Sequence, residues 1–306
     1  MLSFRRPFSI VAVAALAGPG LMHADASVQP YVADANTIGL WHLDETNDPP
    51  TTFADASGNN YTLTYEAAGS ATVSAESVAG LFGQGVTGFR QGGSTDNLRL
   101  SATGVAGTNP ATQTFEAWMM WENEADLPQN TTGGGAFNAW QTLMHRSQHQ
   151  QILRLEPNGT GGAQIHYRVR TQAPSGGTAR TEDTYFDMGE ILANTWYHLA
   201  VSMEEVGDDL IVRMYWNDVN TGTATPNPVV TNVLEDFTYD SRWWNNMWIG
   251  GNTLSGVDGF AGIIDEVRLS NIARTEFNTL VPEPAGAALW LGAAAALMWR
   301  RRRVAA

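Results

Sequence analysis

The chain has 306 residues and a net charge of −14 at neutral pH, and it contains no cysteine. This length suits one large β domain or two small ones, and without disulfides the fold must rest on a large core. All 17 basic residues are arginine, and the acidic excess argues against nucleic acid as a partner, because phosphate binding needs a basic surface.

The first 26 residues have the pattern of a secretory signal peptide. Two arginines precede the apolar segment Ile10–Ala17, and an Ala-Asp-Ala motif ends at Ala26, before Ser27. An uncleaved anchor helix is the alternative, but a Gly-Pro-Gly run at 18–20 interrupts the apolar segment. We therefore predict cleavage between Ala26 and Ser27, export of the chain, and a polar lead-in over 27–37.

Short runs rich in β-branched and aromatic residues, separated by Gly, Asn and Pro, fill the region 38–280. No helical period appears between 38 and 270, and no linker divides the region. Many short strands with regular turn signals predict one all-β domain, a sandwich or jelly roll. The predicted strands are Ile38–Leu43, Tyr61–Tyr65, Asn97–Ser101, Thr114–Trp121, Ala139–Arg146, Gln151–Leu155, Ala163–Arg170, Thr184–Met188, Trp196–Met203, Leu210–Asn217, Asn227–Leu234, Asn246–Gly250 and a last strand within Gly259–Asn271.

The last of these strands organises the domain. Strand side chains alternate between two faces, so Asp265 is expected on one inward face with Ile263, Val267 and Leu269. Glu266 then belongs to a wetter face. A late strand of this kind is expected to pair with a much earlier one and to close a sheet.

Six segments in chain order resemble motifs of laminin G-like domains, which belong to the concanavalin A-like lectin/glucanase superfamily. They are Gly39–Asp44, Asp55–Asn59, Phe82–Gly85, Thr114–Trp118, Trp196–Val201 and Phe260–Arg268. The resemblance implies a concanavalin A-like jelly-roll β-sandwich and a structural role for His198. It implies little about function, because one fold hosts many functions.

The C-terminal segment, 281–306, has three parts. Pro282, Glu283 and Pro284 precede the apolar stretch Ala285–Trp299, and four arginines follow it. The apolar stretch is short for a spanning helix, which needs about 20 residues, and the arginines favour the cytoplasmic side. This layout resembles the PEP-CTERM sorting signal of bacteria; the alternative is a plain single-pass anchor.

The sorting-signal resemblance implies a partner and a location. An exosortase-type enzyme would process the chain after transient inner-membrane anchoring through a short transmembrane helix over 285–299. The product would then reach the cell surface or the extracellular matrix of a biofilm.

Three acids, Glu122, Glu124 and Asp126, follow the strand that ends at Trp121. Glycoside hydrolysis needs a pair of carboxylates, and relatives of this fold carry a similar triplet. Here, however, the middle residue is Glu, the last is Asp, and Pro128 soon ends the strand. We predict no catalytic residue at these positions, and the chain has neither a nucleophile elbow nor a cysteine.

Asp44 and Asp265 are the candidate metal ligands. First and last strands are neighbours in many jelly rolls, which would bring the two acids together, and many relatives of the family hold Ca²⁺. Calcium takes six to eight oxygen ligands, and Asn47, Asp55 and Asn59 could add some. The alternative is that Asp44 caps a turn and Asp265 accepts backbone hydrogen bonds.

Arg242, Trp243 and Trp244 form the most unusual local composition. Adjacent residues of an extended segment point opposite ways, so one Trp of the pair would be exposed. An exposed Trp beside hydrogen-bonding groups is a platform for a sugar ring, and core packing is the alternative.

Together these patterns predict an exported bacterial surface or extracellular-matrix protein with a non-catalytic role in glycan binding or adhesion. Extracellular polysaccharide would be its partner. The alternatives are a glycosidase or polysaccharide lyase of the same fold, and a purely structural surface protein.

Overall fold

The computed structural model describes residues 29–68, 74–89, 97–103, 105, 110–122, 140–146, 151–160, 162–218, 228–241, 246–252 and 258–277, with the backbone of 26–27 and 281–282. Its strands, numbered in chain order, are β1 Ala26–Ser27, β2 Thr37–Trp41, β3 Thr52–Phe53, β4 Leu63–Ala68, β5 Glu76–Ala79, β6 Gln84–Thr87, β7 Asn97–Thr103, β8 Gln113–Trp121, β9 Gln141–Arg146, β10 Gln151–Pro157, β11 Ala163–Gln172, β12 Arg180–Gly189, β13 Trp196–Val206, β14 Asp209–Asp218, β15 Val230–Leu234, β16 Thr238–Tyr239, β17 Asn246–Ile249, β18 Gly262–Ser270 and β19 Val281–Pro282.

Within these ranges the strands form two large sheets. A nine-stranded sheet has the order β12-β11-β10-β9-β17-β7-β4-β3, with β16 beside β11. An eight-stranded sheet has the order β15-β14-β13-β8-β18-β6-β5, with β2 beside β18. The pairs in both sheets are antiparallel. The predicted all-β sandwich is therefore confirmed. Considered by itself, β1 pairs with β19 in a two-stranded ladder.

The main hydrophobic core draws on the inward faces of both sheets. Alternate residues of β8, namely Phe115, Ala117, Met119 and Trp121, belong to it, as period-two alternation requires. The facing sheet contributes alternate residues of β10 and β11 in the same way. These are Leu153, Leu155, Ile165, Tyr167 and Val169.

The last long strand, β18, departs from the predicted alternation. It pairs with β2 and β8 as expected, but a register shift falls between Asp265 and Val267, where Glu266 takes a left-handed φ of 52°. The bulge sends Asp265 to the face opposite the core that holds Val267. The prediction that Asp265 shares a face with Val267 is therefore wrong.

A second buried region, formed by polar and charged side chains, lies on the outer face of the eight-stranded sheet. We call it the polar interior. Glu116 is fully buried there, and its Oε1 accepts a hydrogen bond of 2.7 Å from Arg268 Nε. Its Oε2 lies 3.4 Å from Nε2 of His198, which is itself buried. His198 packs against the ring of Trp118, with centroids 5.1 Å apart. Burial in this cluster gives His198 the structural role that the resemblance implied.

The two ends of the domain cover this polar interior. The Arg274 guanidinium forms two hydrogen bonds of 2.8 Å with the Asp34 carboxylate, and the Asn271 amide donates to the Asn36 carbonyl at 2.9 Å. Arg268 donates to the Val32 carbonyl at 3.1 Å. We call these contacts between 32–36 and 268–274 the end clasp.

Four short strands of the two large sheets, β3, β5, β6 and β16, were not among those predicted. Each has only two to four residues, which is too short for a period-two pattern to be recognised. Among the described residues no helix is long and apolar enough to cross a membrane. The helix predicted over 285–299 lies outside them.

Candidate functional site

Asp44 and Asp265, the predicted calcium ligands, hold the same turn from two sides. Asp265 Oδ2 accepts the Phe82 amide at 2.9 Å, and Asp44 Oδ1 accepts the Gln84 amide at 2.8 Å. At Gly83 a Cβ atom would come within 2.3 Å of Asp44 Oδ1, so the turn needs glycine there. Both carboxylates therefore act as acceptors for the backbone, which was the alternative to calcium.

Asp265 is buried, and its carboxyl accepts a hydrogen bond from a backbone amide. Burial, together with the nearby Glu266 and Asp44 charges and against the hydrogen bonds from the backbone amides, raises the pKa of its carboxyl to about 8. Glu266 is occupied elsewhere, because it accepts the Tyr31 amide at 2.9 Å and contacts His42 Nδ1 at 2.6 Å. Asp265 is therefore neutral in the folded protein across most of the physiological range.

This pKa predicts how stability depends on pH. Between about pH 4 and pH 8 the folded state keeps a proton on Asp265 that the unfolded state releases. The free energy of unfolding should therefore fall as pH rises, by about 1.4 kcal/mol per unit from this group alone. Urea unfolding at several pH values should show a shallower slope for Asp265→Asn than for the parent.

A second variant provides the control. Burial favours a higher pKa for Asp183, but hydrogen bonds from Arg168 and His166 outweigh it and hold the pKa below its usual range. Asp183→Asn should therefore lower the free energy of unfolding by a constant amount above about pH 5, keep the parental slope there, and approach the parental stability only in acid. Equal slopes for the parent and Asp265→Asn would contradict an acid that is neutral in the folded state.

The structure does not test calcium binding, which stays a prediction. In the described part of the chain no group of three or more His, Cys, Asp or Glu side chains could hold a metal ion. Asp55, a suggested further ligand, accepts hydrogen bonds from the amides of Leu40, Ser57 and Tyr61. Asn59 Nδ2 donates to the Ile38 carbonyl at 2.9 Å.

Most other predicted site residues lie outside the described residues. These are Arg242, Trp243, Trp244, Glu124, Asp126, Glu283 and Pro284. Ala26, Ser27 and Pro282 are described only as backbone of the β1–β19 ladder. Glu122 is described, and its pKa is raised by burial and by the charge of Glu76.

A site that the sequence did not predict occupies the outer face of the nine-stranded sheet. Arg154 and Glu156 of β10, His166 and Arg168 of β11, and Asp183 of β12 point away from the core. Period-two alternation explains this, because their strand neighbours Leu155 and Tyr167 lie in the core. The register places Arg154 opposite His166, and Arg168 opposite Asp183. We call these five residues the His166 cluster.

His166 is the centre of the cluster and bridges its two carboxylates. Its Nδ1 lies 2.6 Å from Glu156 Oε1, and its Nε2 lies 2.8 Å from Asp183 Oδ1. The bridge therefore fixes the ring, which is only 1% exposed, between the two acids.

Each arginine of the cluster is paired with a carboxylate. Arg168 donates to both oxygens of Asp183, at 2.7 and 2.9 Å, and Arg154 Nε donates to Glu156 Oε1 at 2.6 Å. Burial favours a higher pKa for Glu156, but the hydrogen bond from His166 and the charges of His166 and Arg154 hold it below its usual range. Both acids therefore stay ionised near neutral pH.

Two exposed aromatic rings flank the cluster. The Tyr185 ring stacks on His166 at a centroid distance of 4.5 Å and an angle of 17°, and it is 47% exposed. The Trp140 ring is 43% exposed, with the Arg154 guanidinium 4.0 Å from its centroid. His166 thus holds the Tyr185 ring from beneath, Arg154 does the same for the Trp140 ring, and each ring offers an apolar surface to solvent.

The chemistry of this face suits binding better than hydrolysis. Glycoside hydrolysis needs one carboxylic acid with a raised pKa to protonate the leaving group. In the His166 cluster both carboxyl groups have lowered pKa values and are ion-paired. A rigid charged base beneath exposed rings is instead a surface that can hold a ring-shaped polar ligand.

One protein family matches the chain. Residues 91–277 match a laminin G-type family model described as the concanavalin A-like lectin/glucanases superfamily. No curated protein matches the chain. The matched range leaves out three of the six resembling segments, those before residue 91.

Several solved structures are similar to the chain. The binding domain of botulinum neurotoxin serotype G is 10% identical, with a TM-score of 0.47. The match covers 80% of this chain and 49% of the neurotoxin domain. The Ruminococcus gnavus IT-sialidase CBM40, bound to α2,6-sialyllactose, is 14% identical, with a TM-score of 0.32 and coverages of 53% and 78%. The catalytic domain of a family 131 glycoside hydrolase from Coprinopsis cinerea is 12% identical, with a TM-score of 0.28 and coverages of 80% and 87%.

The chain spans about half the length of the neurotoxin domain. The family match has a firmer basis, because it extends over more than half of this chain and includes the strands that carry the His166 cluster. By this match, the protein belongs to the concanavalin A-like lectin/glucanases superfamily.

Proposed function

We propose that this protein binds a glycan without cleaving it, on the outer face of the nine-stranded sheet around Trp140 and Tyr185. The observation that carries the proposal is the pair of exposed rings held over the His166 cluster. Sugar rings present apolar C–H faces that stack on aromatic rings, and hydroxyl groups that bond to charged side chains. The ion-paired base keeps the rings in place before the ligand arrives, which lowers the entropy cost of binding.

We also propose that the protein works outside the cell that makes it. The support is the signal-like start ending at Ala26 and the Pro282-Glu283-Pro284 layout ahead of an apolar stretch and four arginines. Processing by an exosortase-type enzyme would release the chain near Pro284 to the cell surface or matrix. Mass spectrometry of surface-associated protein from its host tests this, and material that keeps the arginine tail would contradict it.

The glycan proposal is tested by binding measurements on the full chain. Tyr185→Ala and Trp140→Ala should each weaken binding to a glycan that the parent retains, by about tenfold, since a stacked ring contributes roughly 1–1.5 kcal/mol. Val206→Ala is the matched control, because Val206 is equally exposed but lies in β13 of the other sheet. Binding that neither aromatic variant reduces would contradict this site.

The same samples separate binding from catalysis. Each polymer should be assayed for bond cleavage, with Glu122→Gln beside the parent, because Glu122 is the one acid of the sequence triplet that the structure describes. General acid–base catalysis contributes about 10²–10⁴-fold, so cleavage lost by that factor in the variant would favour the enzymatic alternative.

A further inference from the structure

We infer that the His166 cluster selects uncharged glycan chains and rejects acidic ones. This inference rests on the proposed function, because it concerns the ligand of the same face. It rests on two observations: the charged groups of the cluster are paired with one another, and the surrounding protein is negatively charged.

The cations of the cluster are not open to a new anion. Arg168 grips both oxygens of Asp183, and Arg154 is held by Glu156 on one side and the Trp140 ring on another. His166 is enclosed by both acids. A sugar carboxylate or sulfate could pair with either arginine only by displacing a protein carboxylate. That exchange would leave the displaced, partly buried acid without its partner.

The surroundings add repulsion. The chain carries a net charge of −14, and Asp187 extends the acidic edge of β12, where it is exposed. A ligand anion near this edge meets carboxylates on one side and neutralised arginines on the other. Like charges at close range repel, and we expect this repulsion to weaken the binding of an acidic ligand by about tenfold or more at low salt.

An uncharged sugar meets none of these costs. Its hydroxyl groups can donate to the acids of the cluster without removing their cations, because a carboxylate has about four lone-pair sites. Its ring faces can stack on Tyr185 and Trp140, whose exposed fractions are the largest among the described aromatic side chains. The site thus offers ring contacts and hydrogen-bond acceptors, which is the chemistry of a neutral polyhydroxyl ligand.

Matched polymer pairs test the inference on the full chain. Dextran is compared with dextran sulfate, and hydroxyethyl cellulose with carboxymethyl cellulose, at salt concentrations from about 0.05 to 0.5 M. At low salt the neutral member of a pair should bind with at least about tenfold higher affinity than the acidic member. Added salt should reduce this difference in affinity, because it screens the charges. Tyr185→Ala should weaken the binding that is scored by about tenfold.

A charge variant tests the cause of the selection. Asp183→Asn frees the Arg168 guanidinium and one nitrogen of His166, so the ratio of sulfated to neutral binding should rise by about tenfold. Glu182→Gln makes the same change of net charge one residue away. Its register partner Val169 lies in the core, which places Glu182 on the opposite face of the sheet. It should leave the ratio near that of the parent.

The outcomes separate the two ideas. Absence of any Tyr185-dependent binding in both pairs overturns the proposed function itself. Tyr185-dependent binding that is equal or tighter for the acidic polymers overturns the inference and leaves the proposed function standing. If Glu182→Gln raised the ratio of sulfated to neutral affinity as much as Asp183→Asn, the selection would come from net charge, and the role of the cluster would be overturned.

Discussion

Glu116→Gln should destabilise the protein by about 3–5 kcal/mol, because it removes the carboxylate from a buried ion pair and leaves the Arg268 charge without its partner. Glu116 is fully buried, and Arg274 Nε also lies within 3.7 Å of it. Burial favours a higher pKa for Glu116, but His198 and Arg268 outweigh it and hold the pKa below its usual range. The acid is therefore charged in the folded state, and urea unfolding measures the loss.

Two further variants interpret this result. Glu204→Gln removes a carboxylate that is 35% exposed and pairs with Arg213 at 2.9 Å, and should cost less than about 1 kcal/mol. Replacing Glu116 by Leu and Arg268 by Met together should destabilise less than Glu116→Gln, because no unpaired charge remains. If the free energy of unfolding of Glu116→Gln lay within about 1 kcal/mol of the parental value, the Glu116–Arg268 ion pair would not stabilise the fold as expected.

Trp118→Ala should also be severe, with a loss of about 3–5 kcal/mol. The Trp118 side chain is fully buried, and it packs with Tyr31 and Leu40 and against Phe82 and Trp196. Its removal leaves a cavity beneath the lead-in that the surrounding sheet cannot fill. Differential scanning calorimetry should show a Tm lower by roughly 6–20 °C, given about 2–4 °C per kcal/mol for a domain of this size.

Trp140→Ala is the control for that measurement. Trp140 is 43% exposed, so its truncation removes less buried area than that of Trp118, leaves no enclosed cavity, and should lower the free energy of unfolding by clearly less than Trp118→Ala does. Equal losses for the two tryptophans would contradict the placement of Trp118 beneath the lead-in.

Much of the fold follows from local patterns in the sequence. Strand β8 alternates between the core and the outer face over its whole length, and the pairing of β18 with β2 was expected from their places in the chain. Both depend on period-two alternation and chain order, which a sequence displays directly.

The bulge in β18 could not be predicted from local sequence patterns. The residue type at Glu266 does not mark a left-handed residue, because glycine, Asn and Asp are the usual signals. One extra residue in the strand was enough to move Asp265 to the other face of the sheet. Its raised pKa, which depends on that face, could not be predicted either.

The His166 cluster was missed for a different reason. Its members come from three strands, and contacts such as Arg168 with Asp183 depend on strand register, which an isolated sequence does not reveal. A weaker signal was present. In β10 and β11 charged side chains recur at every second position between apolar residues, as in Arg154 and Glu156, and such a pattern favours a polar, functional outer face.

The end clasp has a mechanical consequence. The chain enters the sandwich at Thr37 and leaves it at Ser270, and these two residues are register partners at one end of the antiparallel β2–β18 pair. Tension between the two ends would therefore unzip this pair one hydrogen bond at a time, because the load falls on the outermost bond first. The bidentate contact of Arg274 with Asp34 lies ahead of that bond and would carry load before the β2–β18 pair separates.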